Sequence, residues 1–122
     1  MKVVYIAGPF RGRDENEVHS NILEARAVGF RVARHGGVPL IPHTMYEGFD
    51  GKLTDEFWLD ATMRLLGRCD AVVLCNCWWY SNGALAEIEA ARALGLPVFC
   101  RYPGKPGPRS WEDFKAWLRC ED

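Results

Sequence analysis

The chain has 122 residues, which is enough for one domain with a hydrophobic core but leaves little room for a second. Its hydrophobic content of 48% and charged content of 25% are ordinary for a soluble globular protein. A net charge of −1 gives no electrostatic reason to expect a nucleic-acid polymer or a membrane surface as the main partner. We therefore expect a single cytoplasmic domain over residues 1–122, without a signal peptide or a membrane span.

The cysteines argue against both disulfides and a metal site. There are five, an odd number in a chain that needs no staples, and this favours free thiols in a reducing compartment. Cys75 and Cys77 form a C-x-C pair, but no second pair lies at zinc-ligand spacing. We expect buried or strand-end thiols, and neither a metal nor another cofactor.

Short apolar runs alternate with helical patterns along the whole chain. The predicted strands are residues 3–7, 38–42, 71–75 and 97–100. The predicted helices begin near residues 14–15, 55, 81–82 and 110, and the first three end near residues 35–37, 68 and 95. This alternation predicts a parallel sheet with right-handed crossovers. We expect a flavodoxin- or Rossmann-like three-layer α/β sandwich of four to five strands, in the order 2-1-3-4, with helices on both faces.

The second predicted strand and the segment that follows it each carry a distinct sequence signal. The prolines at positions 39 and 42 place this strand at an edge of the sheet, where a missing N–H donor does least harm. The polar segment from His43 to Lys52 is predicted to be a loop, long enough to act as a lid or to hold a substrate.

The loops at residues 8–13 and 76–83 follow the first and third strands, and therefore flank the point where the strand order reverses. Neither is a dinucleotide cradle, because Gly8-x-x-x-Gly12 lacks the G-x-G-x-x-G pattern. Arg11, the backbone near Gly12 and the start of the third helix still predict an anion site here. The alternative is that Arg11 is a solvated turn residue.

Glu87 is the ionisable group that stands out on the third predicted helix. At about 100° per residue it shares a face with small and apolar positions, whereas Glu89 and Arg92 point the opposite way. The residues on its face are Gly83, Ala84, Ala90, Ala91 and Leu94. A buried carboxylate is costly, which indicates either a functional group or a structural ion pair.

Three motifs together resemble a known family. They are Tyr5-Ile6-Ala7-Gly8-Pro9-Phe10-Arg11-Gly12, Cys69-Asp70-Ala71-Val72-Val73, and Ser81-x-Gly83-x-x-x-Glu87-x-x-x-Ala91. In this order and spacing they resemble the nucleoside 2-deoxyribosyltransferase-like superfamily over residues 3–100. The chain is especially similar to its small phage-associated and bacterial members, and also to the 2-deoxynucleoside 5-phosphate N-hydrolases.

The resemblance implies roles for particular residues. Glu87 matches the nucleophile that attacks the anomeric carbon of the sugar, and Tyr5 matches the tyrosine that holds it. Arg11 and Ser81 match groups that contact a 5′-phosphate in the hydrolases, and Ser81 tilts the choice toward a nucleoside monophosphate because the plain transferases carry an aspartate there. The other expected substrate-binding residues are Gly8, Pro9, Phe10, Gly12, His43, Thr62, Trp79, Asn82 and Gly83.

One position departs from the family pattern. The family usually carries an aspartate eight residues before the one that opens the third strand, and this chain has Thr62 there. Asp60 is not a substitute, because it lies on the outer side of its helix and an i,i+4 pair with Arg64 explains it. The usual acid is therefore either missing or replaced by His43, by Asp50 or by a group of the substrate.

The residues leave three functions open. The first is an enzyme that cleaves an N-glycosidic bond or transfers a deoxyribosyl group on a nucleoside or its 5′-monophosphate. The second is a non-catalytic nucleotide-binding or sensing module of the same fold, and the third is an interaction protein that docks through its aromatic last helix. The residues Trp78, Trp79 and Tyr80 are expected either to stack on a base or to pack against a neighbouring subunit or the last helix. A homodimer or higher homo-oligomer is expected.

Overall fold

A computed structural model describes residues 1–49, 52–102 and 106–120 as a five-stranded parallel sheet in the order β2-β1-β3-β4-β5. The strands are β1 (Val3–Ala7), β2 (Val38–Leu40), β3 (Ala71–Leu74), β4 (Val98–Cys100) and β5 (Arg109–Ser110). The helices are α1 (Glu15–Arg34), α2 (Pro42–Met45), α3 (Asp55–Leu66), α4 (Asn82–Ala93) and α5 (Trp111–Arg119). The predicted fold class, the strand order and the edge position of β2 are confirmed.

Alternate residues of the strands face two separate cores. One face of the sheet, which includes Tyr5 and Val72, packs against α3 and α4. The other face, which includes Ile6 and Phe99, packs against α1 and α5. Because successive strand residues point to opposite sides, unbroken apolar strands can supply both cores at once. Tyr5 therefore points toward α4, which carries Glu87.

Side-chain caps begin the long helices where the sequence predicts them. Asp14, Thr54, Ser81 and Ser110 each accept a hydrogen bond from a backbone N–H in the first turn of α1, α3, α4 and α5, respectively. These bonds satisfy donors that a helix leaves free at its start. The cap of α4 fixes the first turn of that helix, after the loop that follows β3.

The segment after β2 differs from its prediction. The strand ends at Leu40 rather than at residue 42, and the short helix α2 begins at Pro42 and takes up the first residues of the predicted loop. Proline suits the first position of a helix, because that position needs no N–H donor. His43 is consequently a buried helical residue. Asp50 lies outside the described residues.

Other boundaries differ by a few residues. Helix α3 ends at Leu66 rather than at 68, and β5 was not predicted. Helix α4 ends at Ala93, so Leu94, expected on its buried face, is 57% exposed. Ile88 fills the inner face instead, one turn after Ala84. Gly83 was also expected on that face, but it is exposed in the first turn of α4, where it lines the cavity described below.

The cysteines are all free, three of them buried, as their odd number predicts. No helix in the described ranges has the length and apolar character required to span a bilayer.

Candidate active site

A cavity of about 1180 Å³ opens beyond the carboxyl ends of β1 and β3. Its walls come from the loop after β1, from α2 and α3, and from the first turns of α4. Ligands of open α/β sheets bind in such a crevice, where the strand order reverses. The two loops that the sequence places on either side of this point both line the cavity.

Glu87 and Tyr5 meet on the floor of this cavity. Tyr5 comes from the central strand β1, is 1% exposed, and donates its hydroxyl proton to the Glu87 carboxylate. Glu87 lies inside the first half of α4, on the side that turns toward β1. The pairing that the resemblance implies is therefore present as a direct hydrogen bond.

The surroundings of Glu87 alter its ionisation. Burial raises its pKa from 4.5 to about 7, because the charged form loses its hydration, and the hydrogen bond from Tyr5 partly offsets that rise. A carboxyl group with a pKa near 7 is present in both forms at neutral pH. Burial and the adjacent Glu87 raise the pKa of Tyr5, which therefore stays protonated and acts as a donor.

Tyr46 is a member of the site that sequence reasoning missed. Its hydroxyl is buried on the cavity wall and has no hydrogen-bond partner of normal geometry among the described residues. Burial and the charge of Glu87 raise the pKa of Tyr46 to about 12, and the nearby Thr62 hydroxyl opposes that rise. Thr62 itself donates to the Leu59 carbonyl oxygen at 3.0 Å. No local pattern marked Tyr46, because it directly follows a four-residue helix that was predicted as loop.

His43 is held in one tautomer at the edge of the cavity. Its Nε2 lies 2.9 Å from the Pro9 carbonyl oxygen, and since a carbonyl oxygen only accepts, Nε2 carries the proton. The side chain is 4% exposed, and this burial lowers its pKa, so the imidazole is neutral at pH 7. Its Nδ1 is buried without a partner in the described ranges.

Arg11 and Ser81 lie at the mouth, at the position expected for an anion. The Arg11 guanidinium forms an ion pair with Asp55 of α3, with Nη2 and Oδ1 2.7 Å apart. Ser81 accepts from the Ala84 N–H at 3.1 Å as the cap of α4. The solvated-turn alternative for Arg11 is only half right, because the side chain is exposed but paired.

Aromatic side chains form the wall at α3. Trp58 contacts Tyr46, with ring centroids 4.3 Å apart, and stacks on Phe49 at 5.9 Å. Tyr80 also lines the cavity and is 78% exposed. Of the aromatic triplet before α4, only Tyr80 therefore lines the cavity.

The structure brings twelve of the thirteen predicted site residues together around one cavity. They are Tyr5, Gly8, Pro9, Phe10, Arg11, Gly12, His43, Thr62, Ser81, Asn82, Gly83 and Glu87. The exception is Trp79, which packs against the core under α3 and α4 rather than lining the cavity, next to Trp78 at 5.8 Å between ring centroids. Within the described residues, no group of three or more His, Cys, Asp or Glu side chains is placed to hold a metal ion.

The molecule has a nucleoside 2-deoxyribosyltransferase-like fold. Among the solved structures that match it is a 2-deoxyribosyltransferase from the psychrotolerant bacterium Bacillus psychrosaccharolyticus, with a TM-score of 0.63 and 18% sequence identity over 95% of each chain. At the level of sequence, the chain belongs to the family described as "Domain of unknown function (DUF7768)", whose profile matches residues 2–101. No curated protein matches the sequence.

Proposed function

We propose that this protein cleaves the N-glycosidic bond of a nucleoside or nucleoside 5′-monophosphate, with Glu87 as the nucleophile. The observation that carries the proposal is the hydrogen bond from Tyr5 to a half-buried Glu87 on the floor of a cavity large enough for a nucleotide. The fold shared with a 2-deoxyribosyltransferase and the resemblance of the three motifs point to the same chemistry.

The ionised form of Glu87 attacks the anomeric carbon, and a glycosyl ester forms as the C–N bond breaks. The base departs with the electron pair of that bond and takes up a proton. Water then hydrolyses the ester to release the sugar, or a second base accepts the sugar in a transfer reaction. An oxocarbenium-like transition state carries positive charge at this carbon, which a carboxylate close to it stabilises.

The other cavity residues hold the substrate. The Tyr5 hydroxyl keeps the Glu87 carboxylate in one orientation. The aromatic wall at Trp58 and the exposed ring of Tyr80 offer stacking surfaces for the base. Arg11 and Ser81, with the start of α4, provide donors for a phosphate, if the substrate carries one.

The test incubates the protein with a panel of ribo- and deoxyribonucleosides and their 5′-monophosphates, and chromatography detects any free base that is released. We expect Glu87→Gln and Glu87→Ala to lower the rate of base release by at least about 10³-fold, because the covalent step is lost. Glu89→Gln, on the exposed side of the same helix, should retain activity. If the wild-type protein at high concentration releases no base from any compound, the enzymatic proposal is wrong.

A second candidate is a nucleotide-binding module without turnover. It is favoured by Thr62, since a hydroxyl bound to the Leu59 carbonyl oxygen stands where the family usually has an acid. Of the other carboxylates that line the described cavity, Glu17 is paired with Arg13 and Asp55 with Arg11. Thermal stabilisation by a nucleotide that chromatography then recovers intact supports this candidate and contradicts the first.

A further inference from the structure

The charges around the cavity are unevenly distributed. Among the described residues that line it, Arg11 is the only lysine or arginine, whereas Glu17, Asp55 and Glu87 are acidic. His43 adds no positive charge at neutral pH, because burial lowers its pKa. The guanidinium of Arg11 is therefore the one positively charged side chain that an anionic ligand meets among the described lining residues.

That guanidinium already has a partner. Arg11 comes from the loop after β1 and Asp55 from the first turn of α3, and their side chains meet at 2.7 Å where both line the cavity. The two side chains are 76% and 72% exposed, so the pair lies at the mouth rather than in the core. An uncharged ligand leaves this pair undisturbed. A phosphate must displace Asp55 or bind beside it.

We propose that Asp55 is a specificity-determining residue, whose carboxylate occupies Arg11 and thereby disfavours ligands that carry a phosphate relative to uncharged nucleosides. The inference rests on the proposed function, because it assumes that the cavity takes nucleosides or their monophosphates. It assigns to Asp55 the discrimination between these two classes of ligand.

The size of the effect follows from elementary electrostatics. A carboxylate a few ångströms from a bound phosphate repels it, even with the high dielectric constant of an exposed site. The carboxylate also competes for the same N–H donors of Arg11. Removing it should tighten phosphate binding about fivefold at low salt. The fold should survive the change, since exposed ion pairs contribute little to stability.

The experiment compares Asp55→Asn with Asp60→Asn. Asp60 is a matched control, because it lies on the same helix in an exposed ion pair with Arg64 at 3.0 Å and does not line the cavity. Both substitutions are made in the Glu87→Gln background, so that the ligands stay intact. Calorimetry then gives the dissociation constants of the four 2′-deoxynucleosides and their 5′-monophosphates at 20 mM and 300 mM NaCl.

We expect Asp55→Asn to tighten the monophosphate of the preferred base about fivefold at low salt and less at high salt. Its nucleoside affinity should change less than about twofold, and Asp60→Asn should change neither constant. Suppose that nucleosides bind but Asp55→Asn leaves the monophosphate affinity unchanged, or that Asp60→Asn shifts this affinity equally. Either result overturns the role of Asp55 and leaves the proposed function standing. Absence of binding by every compound to all forms overturns this role together with the proposed function.

Discussion

At the scale of single residues, the site concentrates hydroxyl groups around one carboxylate. The Tyr5 hydroxyl donates a hydrogen bond to Glu87, and the Thr62 hydroxyl donates one to the Leu59 carbonyl oxygen. The Tyr46 hydroxyl remains buried without a partner of normal geometry in the described part of the chain. A buried donor without an acceptor lowers stability, and such groups concentrate at functional sites.

The raised pKa of Glu87 predicts an unusual dependence of stability on pH. The folded state binds this proton more tightly than the unfolded state, with a pKa of about 7 against 4.5. Its contribution to stability is therefore complete below pH 4.5 and falls as the pH rises to 7, by about 3 kcal/mol in total. Glu87→Gln cannot ionise and should escape this loss.

Urea unfolding at pH 5, 6, 7 and 8 checks this prediction. The free energy of unfolding of Glu87→Gln, measured relative to that of the wild-type protein, should increase as the pH rises from 5 to 8. Glu89→Gln, on the exposed face of α4, should follow the wild-type curve. Parallel curves for all three proteins would show that Glu87 ionises normally.

Sequence reasoning located residues of the site whose signals are local. Helical periodicity singles out Glu87 and the loop after the first strand singles out Arg11, whereas the role of Tyr5 is implied by the family resemblance. Tyr46 was missed, and so was the pairing of Arg11 with Asp55, because these depend on how α2 and α3 pack over the sheet. No pattern along the chain encodes such packing.

At the scale of elements, the start of the cavity loop after β1 depends on a close approach of β1 and β3. The Cys75 N–H donates to the Ala7 carbonyl oxygen at 2.8 Å, which holds the ends of the two strands together. A Cβ atom on Gly8 would lie 2.5 Å from the Cys75 Cβ and 2.9 Å from its Sγ. Only glycine fits this position without displacing a strand.

Gly8→Ala should therefore destabilise the protein by about 1–3 kcal/mol, which is typical of overpacking in a core. Gly67→Ala is the control, since a Cβ there meets atoms no closer than 3.6 Å and the backbone is α-helical. That change should be neutral or slightly stabilising. Thermal unfolding of the two variants measures the difference, and equal melting temperatures would refute the argument.

The two short elements that were not predicted, α2 and β5, have one cause in common. The sequence between β2 and α3 was interpreted as loop from its polar and glycine residues, although Pro42 suits a helix start as well as a strand end. The two-residue strand β5 exists only because residues 109 and 110 pair with β4. Such short elements depend on neighbours, and local propensity does not reveal them.

At the scale of the whole molecule, large apolar side chains surround the mouth of the cavity. Phe49, Leu53 and Leu59 line it and are 48%, 51% and 52% exposed, and Phe57 beside them is 48% exposed. Exposed apolar clusters of this kind commonly mark interaction surfaces. If the chain forms the expected homo-oligomer, we predict that a second copy packs against this surface.

Light scattering coupled to gel filtration should therefore show a dimer or larger assembly. Leu59→Lys should shift the protein toward monomer, because a charge within an apolar contact is costly to bury. Phe30→Lys, a 64% exposed position on α1, should leave the assembly intact. A wild-type monomer at all concentrations would contradict the prediction.

The contacts of Trp58 with Phe49 and Tyr46 on the cavity wall give the molecule an intrinsic fluorescent reporter. The other four indoles, Trp78, Trp79, Trp111 and Trp117, do not line the cavity. A ligand that fills this space should change the emission of Trp58 alone among the five tryptophans, and Trp58→Phe should abolish that response. Titrations could then follow occupancy directly on unlabelled protein.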